Sequence, residues 1–120
     1  MSEDLAARID RHVDEHLDDY LDDLRALCRL PSVAAQGRAI DETADLTRRL
    51  LEKYGVAARV MPTSGNPVVV GDASGGSEQT ILCYNHYDVQ PAEPLELWDS
   101  EPFEPEVRGG KLYGRGVGDD

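Results

Sequence analysis

Apolar residues recur at helical spacing in the first half of the chain. Between residues 3 and 30 they repeat at intervals of three and four, which predicts one long amphipathic helix. The members of this stripe are Leu5, Ile9, Val13, Leu17, Leu21 and Leu24. Pro31 is expected to end the helix, because the residue before a proline avoids helical geometry. A second helix is predicted from about Asp41 to Tyr54, with Gly55 as its C-terminal cap.

The pattern then changes to short runs that are rich in β-branched and apolar residues. Strands are predicted at 57–61, 67–71 and 80–85, with the turn-forming stretches TSGN and DASGGSE between them. The third run, TILCYN, is apolar on both sides, as expected of a strand covered on both faces. A loop-rich tail with several prolines follows. This order favours an α/β fold, a sheet flanked by helices, with a site at the carboxyl ends of the strands.

Composition and charge narrow the class of protein. A length of 120 residues allows one domain at most, and the formal net charge of −12 would repel nucleic acid. The sequence contains no apolar run of membrane-spanning length and no signal peptide at its acidic N-terminus, so we expect a cytoplasmic protein without membrane contact. Cys28 and Cys83 are too few for a disulfide scaffold. Both are expected to be small buried hydrophobic residues.

Two short motifs are weak candidates for a site. The stretch GDASGGS (71–77) is similar to a phosphate-binding loop, but it lacks the lysine that such a loop requires, and a hairpin turn is the simpler interpretation. The stretch HVDEH (12–16) matches the H-x-x-E-H pattern of some zinc peptidases. His12 and His16 share a helix face, yet they lie in a strongly acidic helix, where a solvated face is the simpler explanation.

The stretch YNHYDV (84–89) is a more informative candidate, at the point where the third predicted strand ends. His86 and Asp88 are two residues apart, so their side chains point to the same side of an extended chain. A histidine that binds a metal commonly donates its other ring N–H to a carboxylate. A purely structural hydrogen bond between the two side chains is the alternative, and H-x-D alone favours that alternative.

Residues 82 to 120 taken together favour the metal site. LCYNHYDVQP, then Trp98, EPFEPEV and GGKLYGRGVGDD closely resemble the zinc metallopeptidase family of carnosinases, glutamate carboxypeptidases, aminoacylases and succinyl-diaminopimelate desuccinylase. LCRLPSV and NPVVV resemble the same family more weakly. Within the family, HYDVQPAEP followed by tryptophan is most similar to the carnosinase-type dipeptidases.

The resemblance implies roles for individual residues. His86 is implied to bind one of two zinc ions, Asp88 to be the partner that orients His86, and Asp119 to bridge both metals. Cobalt or manganese could replace zinc. A cis peptide bond is implied between Asp119 and Asp120, and Arg115 would hold the glycine-rich loop or contact substrate. The family's paired glutamates, which supply the general base, and its remaining metal ligands lie beyond residue 120. Residues 1–120 are therefore expected to be the N-terminal portion of a metallohydrolase catalytic domain.

The implied activity is metal-dependent hydrolysis of an amide bond in a dipeptide or small peptide. One alternative within the family is an N-acyl amino acid deacylase or desuccinylase. The alternative from another class is a non-catalytic module on the same fold. The implied partners are a small peptide or N-acyl amino acid substrate and, through a domain that is absent here, a second copy in a homodimer.

Overall fold

A computed structural model of the chain describes residues 4–119 and shows a mixed helix and strand architecture. The helices and strands are α1 (Leu5–Cys28), α2 (Ile40–Lys53), β1 (Ala57–Met61), β2 (Val68–Asp72), β3 (Glu106–Arg108) and β4 (Lys111–Tyr113), with short 3₁₀ turns at Ala34–Gln36 and Leu95–Leu97. Both helices predicted from the apolar spacing are confirmed to within a few residues.

Helix α1 is 24 residues long, and only its second half is covered. Asp4 caps its start by accepting a hydrogen bond from the N–H of Ala6 at 3.4 Å. Leu5 and Leu17 remain 64% and 46% exposed, whereas Leu24, closer to the end of the helix, is half-buried. The first turns of α1 therefore project beyond the rest of the described chain. Within residues 4–119, neither helix has the length and apolarity needed to cross a lipid bilayer.

Helix α2 packs on the hairpin that β1 and β2 form. The two strands are antiparallel, with Val60 opposite Val69. Gly55 connects α2 to β1 with a φ of +82°, a left-handed conformation that glycine adopts readily, and the predicted cap is thereby confirmed. Gly71 in β2 lies against Val56, which follows Gly55. A side chain at position 71 would not fit, because its Cβ would lie 2.8 Å from Cγ1 of Val56.

The strand predicted at 80–85 is wrong for this structure. Residues 80–85 form no strand and are exposed, with Ile81 at 88% and Leu82 at 91%. A strand exists only where a neighbouring strand accepts and donates its backbone hydrogen bonds. Neither described sheet extends to this segment, because each contains two strands that pair only with each other. Residues 80–85 are thus apolar, as in a strand buried on both faces, but in this structure they are neither paired nor covered.

Strands β3 and β4 form a second hairpin, within the tail that was expected to be rich in loops and for which no strand was predicted. Gly109 and Gly110 make its turn, with φ angles of +56° and +75°. Positive φ at both central residues matches the twist of a two-residue hairpin, and two glycines meet that requirement. The Arg108 guanidinium lies 4.2 Å from the ring centroid of Tyr113 across the pair.

Most buried residues lie around the connection between the two helices and the segment that follows His86. They are the apolar residues Cys28, Val33, Ile40, Ala44, Val89 and Ala92 and the hydroxyl residues Ser32 and Thr43. Pro102, Pro105 and Gly116 are buried further along the chain. Cys28 is buried as expected. Cys83 is exposed, because the strand that would have buried it is not formed. The described core therefore joins residues 28–44 to residues 89–92.

An ion pair also joins the helices. Lys53 on α2 donates to both carboxylate oxygens of Asp23 on α1, at 2.9 and 2.7 Å, and the Tyr54 hydroxyl donates to the same carboxylate. The hydrogen bond from Lys53, followed by that from Tyr54, lowers the pKa of Asp23 below its usual value of 3.8.

We expect Asp23→Asn to lower the melting temperature of the protein at neutral pH. A carboxyl group with a lowered folded-state pKa stabilises the fold above its unfolded-state pKa, and this stabilisation is lost as the pH falls through the folded-state value. Thermal unfolding of wild type and variant on both sides of pH 3.8 should show the difference narrowing at acid pH. Asp18→Asn, which removes an exposed carboxylate on the same helix, is the control. Equal effects of the two substitutions at every pH would contradict this role for Asp23.

Candidate metal centre

The structure brings His86 and Asp88 together. Nδ1 of His86 lies 3.0 Å from the backbone carbonyl oxygen of Asp88 and 3.3 Å from the Oδ1 atom of its carboxylate. Both oxygens act as acceptors, so the neutral ring carries its proton on Nδ1. Nε2 is then the nitrogen with a lone pair, and a metal ion bound by this ring would be held through Nε2. This arrangement fits the predicted pair of a metal ligand and its orienting carboxylate.

Tyr87, between these two residues, points into the structure. Its hydroxyl donates to the backbone carbonyl of Pro67, just before β2. Burial raises the pKa of Tyr87, and the nearby carboxylates of Asp41 and Asp88 raise it further. The tyrosine thus fixes the segment to the β1–β2 hairpin while its neighbours stay accessible. This contact could not be predicted from the sequence, since a tyrosine between a histidine and an aspartate gives no signal of a distant backbone partner.

The glycine-rich loop of residues 114–118 is held against the 98–105 segment. The N–H of Arg115 donates to the carbonyl of Pro102 at 2.7 Å, and its guanidinium lies 5.0 Å from the ring centroid of Trp98. A Cβ at position 114 would come within 3.3 Å of the same Pro102 oxygen, which explains the need for glycine there. Gly116 has a φ of +84°. These contacts support the interpretation that Arg115 holds the loop.

Asp119, the predicted bridging ligand, is exposed at the end of this loop. Residues 4–119 contain no group of three or more histidine, cysteine, aspartate or glutamate side chains arranged to hold a metal ion. Asp120 and the predicted cis peptide bond before it lie outside the described residues. The bridging role of Asp119 therefore stays a prediction.

The alternative zinc motif at 12–16 is not assembled into a site. His12 is exposed, and Nδ1 of His16 lies 2.8 Å from the backbone carbonyl of His12. The two rings lie 4.2 Å apart, centroid to centroid. In the described part of the chain no third donor joins them in a metal-binding group. The arrangement agrees with the simpler explanation of a solvated helix face.

Comparison with known proteins confirms the resemblance found in the sequence. Residues 82–120 match the model of Peptidase family M20/M25/M40. A succinyl-diaminopimelate desuccinylase from Aromatoleum aromaticum is 56% identical over 48 residues, which are 39% of this chain and 12% of that protein. The corresponding enzyme from Acinetobacter baumannii is 50% identical over 48 residues, covering 39% of this chain and 13% of the relative.

Solved structures match over a wider part of the chain. An M20 family metallo-carboxypeptidase from Sulfolobus solfataricus aligns with a TM-score of 0.79 and 39% identity, over 82% of this chain and 23% of that one. The dipeptidase Dug1p from Saccharomyces cerevisiae aligns with a TM-score of 0.79 and 26% identity, over 92% and 27%. Human carnosine dipeptidase 1, at 21% identity, shares the fold over all of this chain and 29% of its own, with a TM-score of 0.81. The chain thus spans less than a third of these proteins.

We predict that Asp88→Asn weakens zinc binding about 10- to 100-fold, as loss of a carboxylate that orients a metal-binding histidine typically does. Isothermal titration of the metal-free full-length protein with zinc measures this change. Asp72→Asn, at the exposed end of β2, is the control and should bind zinc as the wild type does. Wild-type zinc affinity in Asp88→Asn, with weakened binding in His86→Ala, would show that Asp88 has no orienting role.

Proposed function

We propose, on the basis of the M20/M25/M40 family match over residues 82–120, that this chain is the N-terminal portion of the catalytic domain of a metal-dependent amide hydrolase. The enzyme cleaves the amide bond of a dipeptide or small peptide at a site that holds two zinc ions. His86 and Asp119 are the ligands from this chain, and Asp88 orients His86. The remaining ligands and the general base come from beyond residue 120.

The structural observation that supports this family-based proposal is the geometry at His86. The hydrogen bond from Nδ1 to the Asp88 carbonyl at 3.0 Å, with the Asp88 carboxylate 3.3 Å from the same nitrogen, favours the tautomer in which Nε2 can bind a metal. His86 is exposed and the side chain of Asp88 is 47% exposed, so the pair lies at a surface that metal and substrate can reach.

The donor types also fit zinc. Imidazole nitrogen and carboxylate oxygen are common zinc ligands, and a carboxylate has two oxygens with which to bridge two cations. Bound metals of this kind supply an activated water and polarise a substrate carbonyl. The tasks of this chain are to hold two ligands in place and, through Asp88, to keep the His86 ring in one tautomer and orientation.

Peptide cleavage is favoured over deacylation by the extent of the similarity. The metallo-carboxypeptidase from Sulfolobus solfataricus is 39% identical over 82% of this chain. The desuccinylase from Aromatoleum aromaticum is more similar, at 56%, but only over 39% of the chain. That second similarity keeps an N-acyl amino acid deacylase or desuccinylase as the alternative.

A substrate panel tests the proposed activity. We expect the zinc-loaded full-length protein to hydrolyse dipeptides with a higher kcat/KM than an N-succinyl amino acid, and to lose activity on chelation. His86→Ala, measured under the same conditions, is the control for contaminating peptidases. Preference for the N-succinyl substrate would establish the alternative activity. Hydrolysis of neither substrate by metal-loaded protein would favour a non-catalytic module.

A pair of variants tests the assignment of the bridging ligand. Asp119 and Asp120 are adjacent, and neighbouring side chains in an extended or turning segment diverge, so both are not expected to reach the same metal pair. Asp119→Ala should abolish binding of the metal pair together with activity, while Asp120→Ala should bind both ions and retain substantial activity. Metal content measured by atomic emission reports the outcome. Loss of metal in Asp120→Ala alone would move the bridge to that residue.

A further inference from the structure

Ser32 lies just after α1 and is only 2% exposed. It is one of two fully buried hydroxyl residues in the part of the chain described, the other being Thr43 on α2. A hydroxyl group in such a place must form a hydrogen bond to offset the loss of water. The partner of the Ser32 hydroxyl is a backbone group of the 86–89 segment, 55 residues away in the sequence.

Ser32 forms two hydrogen bonds with the backbone, one on each side of Asp88. The Ser32 hydroxyl donates to the carbonyl of Tyr87 at 2.9 Å, and the N–H of Val89 donates to the carbonyl of Ser32 at 2.9 Å. The Tyr87 carbonyl belongs to the peptide group before the Asp88 Cα atom, and the Val89 N–H belongs to the peptide group after it. Both peptide groups that set the backbone conformation of Asp88 are therefore bound to one buried residue.

This backbone conformation controls the His86 ring. The carbonyl oxygen of Asp88, which accepts from Nδ1 of His86 at 3.0 Å, is part of the same peptide group as the Val89 N–H. A rotation of that peptide group would move the acceptor away from the ring. The position of the Asp88 carboxylate, 3.3 Å from Nδ1, depends on the same backbone angles. A chain of contacts thus runs from Ser32 through the backbone of Asp88 to His86.

Ser32 is itself firmly placed. Its N–H donates to the carbonyl of Leu30 at 2.8 Å, and the N–H of the next residue, Val33, donates to the carbonyl of Pro31 at 2.7 Å. Val33 has no exposed surface. Ser32 is therefore fixed relative to the buried residues that follow α1, and its hydrogen bonds fix the segment of His86 relative to the same residues.

We propose that Ser32 is a positioning residue for the metal site, which it serves by fixing the backbone on both sides of Asp88. This inference rests on the proposed function. Ser32 does not contact metal or substrate in this role. It narrows the range of orientations that the His86 ring adopts before metal binds, and preorganisation of this kind strengthens binding without adding a ligand.

The test compares two substitutions that each remove a buried hydroxyl. Ser32→Ala removes the donor to Tyr87, and Thr43→Val removes the donor of a 2.6 Å bond to the Ala39 carbonyl at the start of α2. Both variants should melt at lower temperature than wild type. Ser32→Ala should in addition lose about tenfold in zinc affinity, at the lower end of what outer partners of metal ligands contribute. Thr43→Val should keep the zinc affinity of wild type.

Zinc affinity is measured by competition with a chromogenic chelator on the metal-free, full-length protein. Equal zinc affinities in the two variants would overturn the proposal and assign Ser32 to fold stability alone. Ser32→Thr, which keeps the hydroxyl, should restore affinity toward wild type even if its additional methyl group lowers the melting temperature. Weak binding in folded Ser32→Thr, equal to that of Ser32→Ala, would also contradict a role for the hydroxyl.

A second measurement needs no metal, and its first result comes from the wild type alone. Amide hydrogen exchange of metal-free wild type should show the Val89 N–H protected, and Ser32→Ala should accelerate exchange in residues 86–89 more than Thr43→Val does. An unprotected Val89 amide in the folded wild type would overturn the proposal even if Ser32→Ala failed to fold. Failure of the proposed function is distinct, because it would appear as zinc binding that His86→Ala does not weaken.

Discussion

The described structure depends on the two hydrogen bonds that join Ser32 to the backbone on either side of Asp88. They connect the helical half of the chain to the loop half, which has few regular elements of its own. Val33 from the first half and Val89 and Ala92 from the second are buried beside this connection. Burial excludes water from competing for these hydrogen bonds, and the hydrogen bonds in turn fix the register in which the apolar residues pack.

A second connection holds the glycine-rich loop. Trp98 donates from Nε1 to the carbonyl of Ala92 at 2.7 Å, its ring faces the guanidinium of Arg115, and the N–H of Arg115 reaches Pro102. The loop that leads to Asp119 is thus linked, through Trp98 and Ala92, to the segment that begins at His86. The stacked side chains of Trp98 and Arg115 thus link two irregular segments that have no backbone hydrogen bonds of a sheet between them.

Elements that depend on local spacing could be predicted from the sequence, whereas those that depend on distant partners could not. Both helices follow from the apolar period, and the His86–Asp88 contact follows from the alternation of an extended chain. The hairpin around Gly109 and Gly110 was missed, although two glycines between short alternating runs are a recognised signal for one. Residues 80–85 have the composition of a strand, but a strand also needs a neighbouring strand to pair with, and the composition of one segment does not predict that neighbour. Ser32 gave no signal because its partner lies 55 residues further along.

The central claim is that the His86–Asp88 pair presents Nε2 of His86 to a metal ion that Asp119 also binds. Anomalous diffraction at the zinc absorption edge, on crystals of the zinc-loaded full-length protein, tests it most directly. The predicted result is a zinc peak about 2.0–2.1 Å from Nε2 of His86, with the Asp119 carboxylate between that ion and a second one. Zinc peaks confined to His12 and His16, or zinc-loaded crystals without a peak at His86, would contradict the claim.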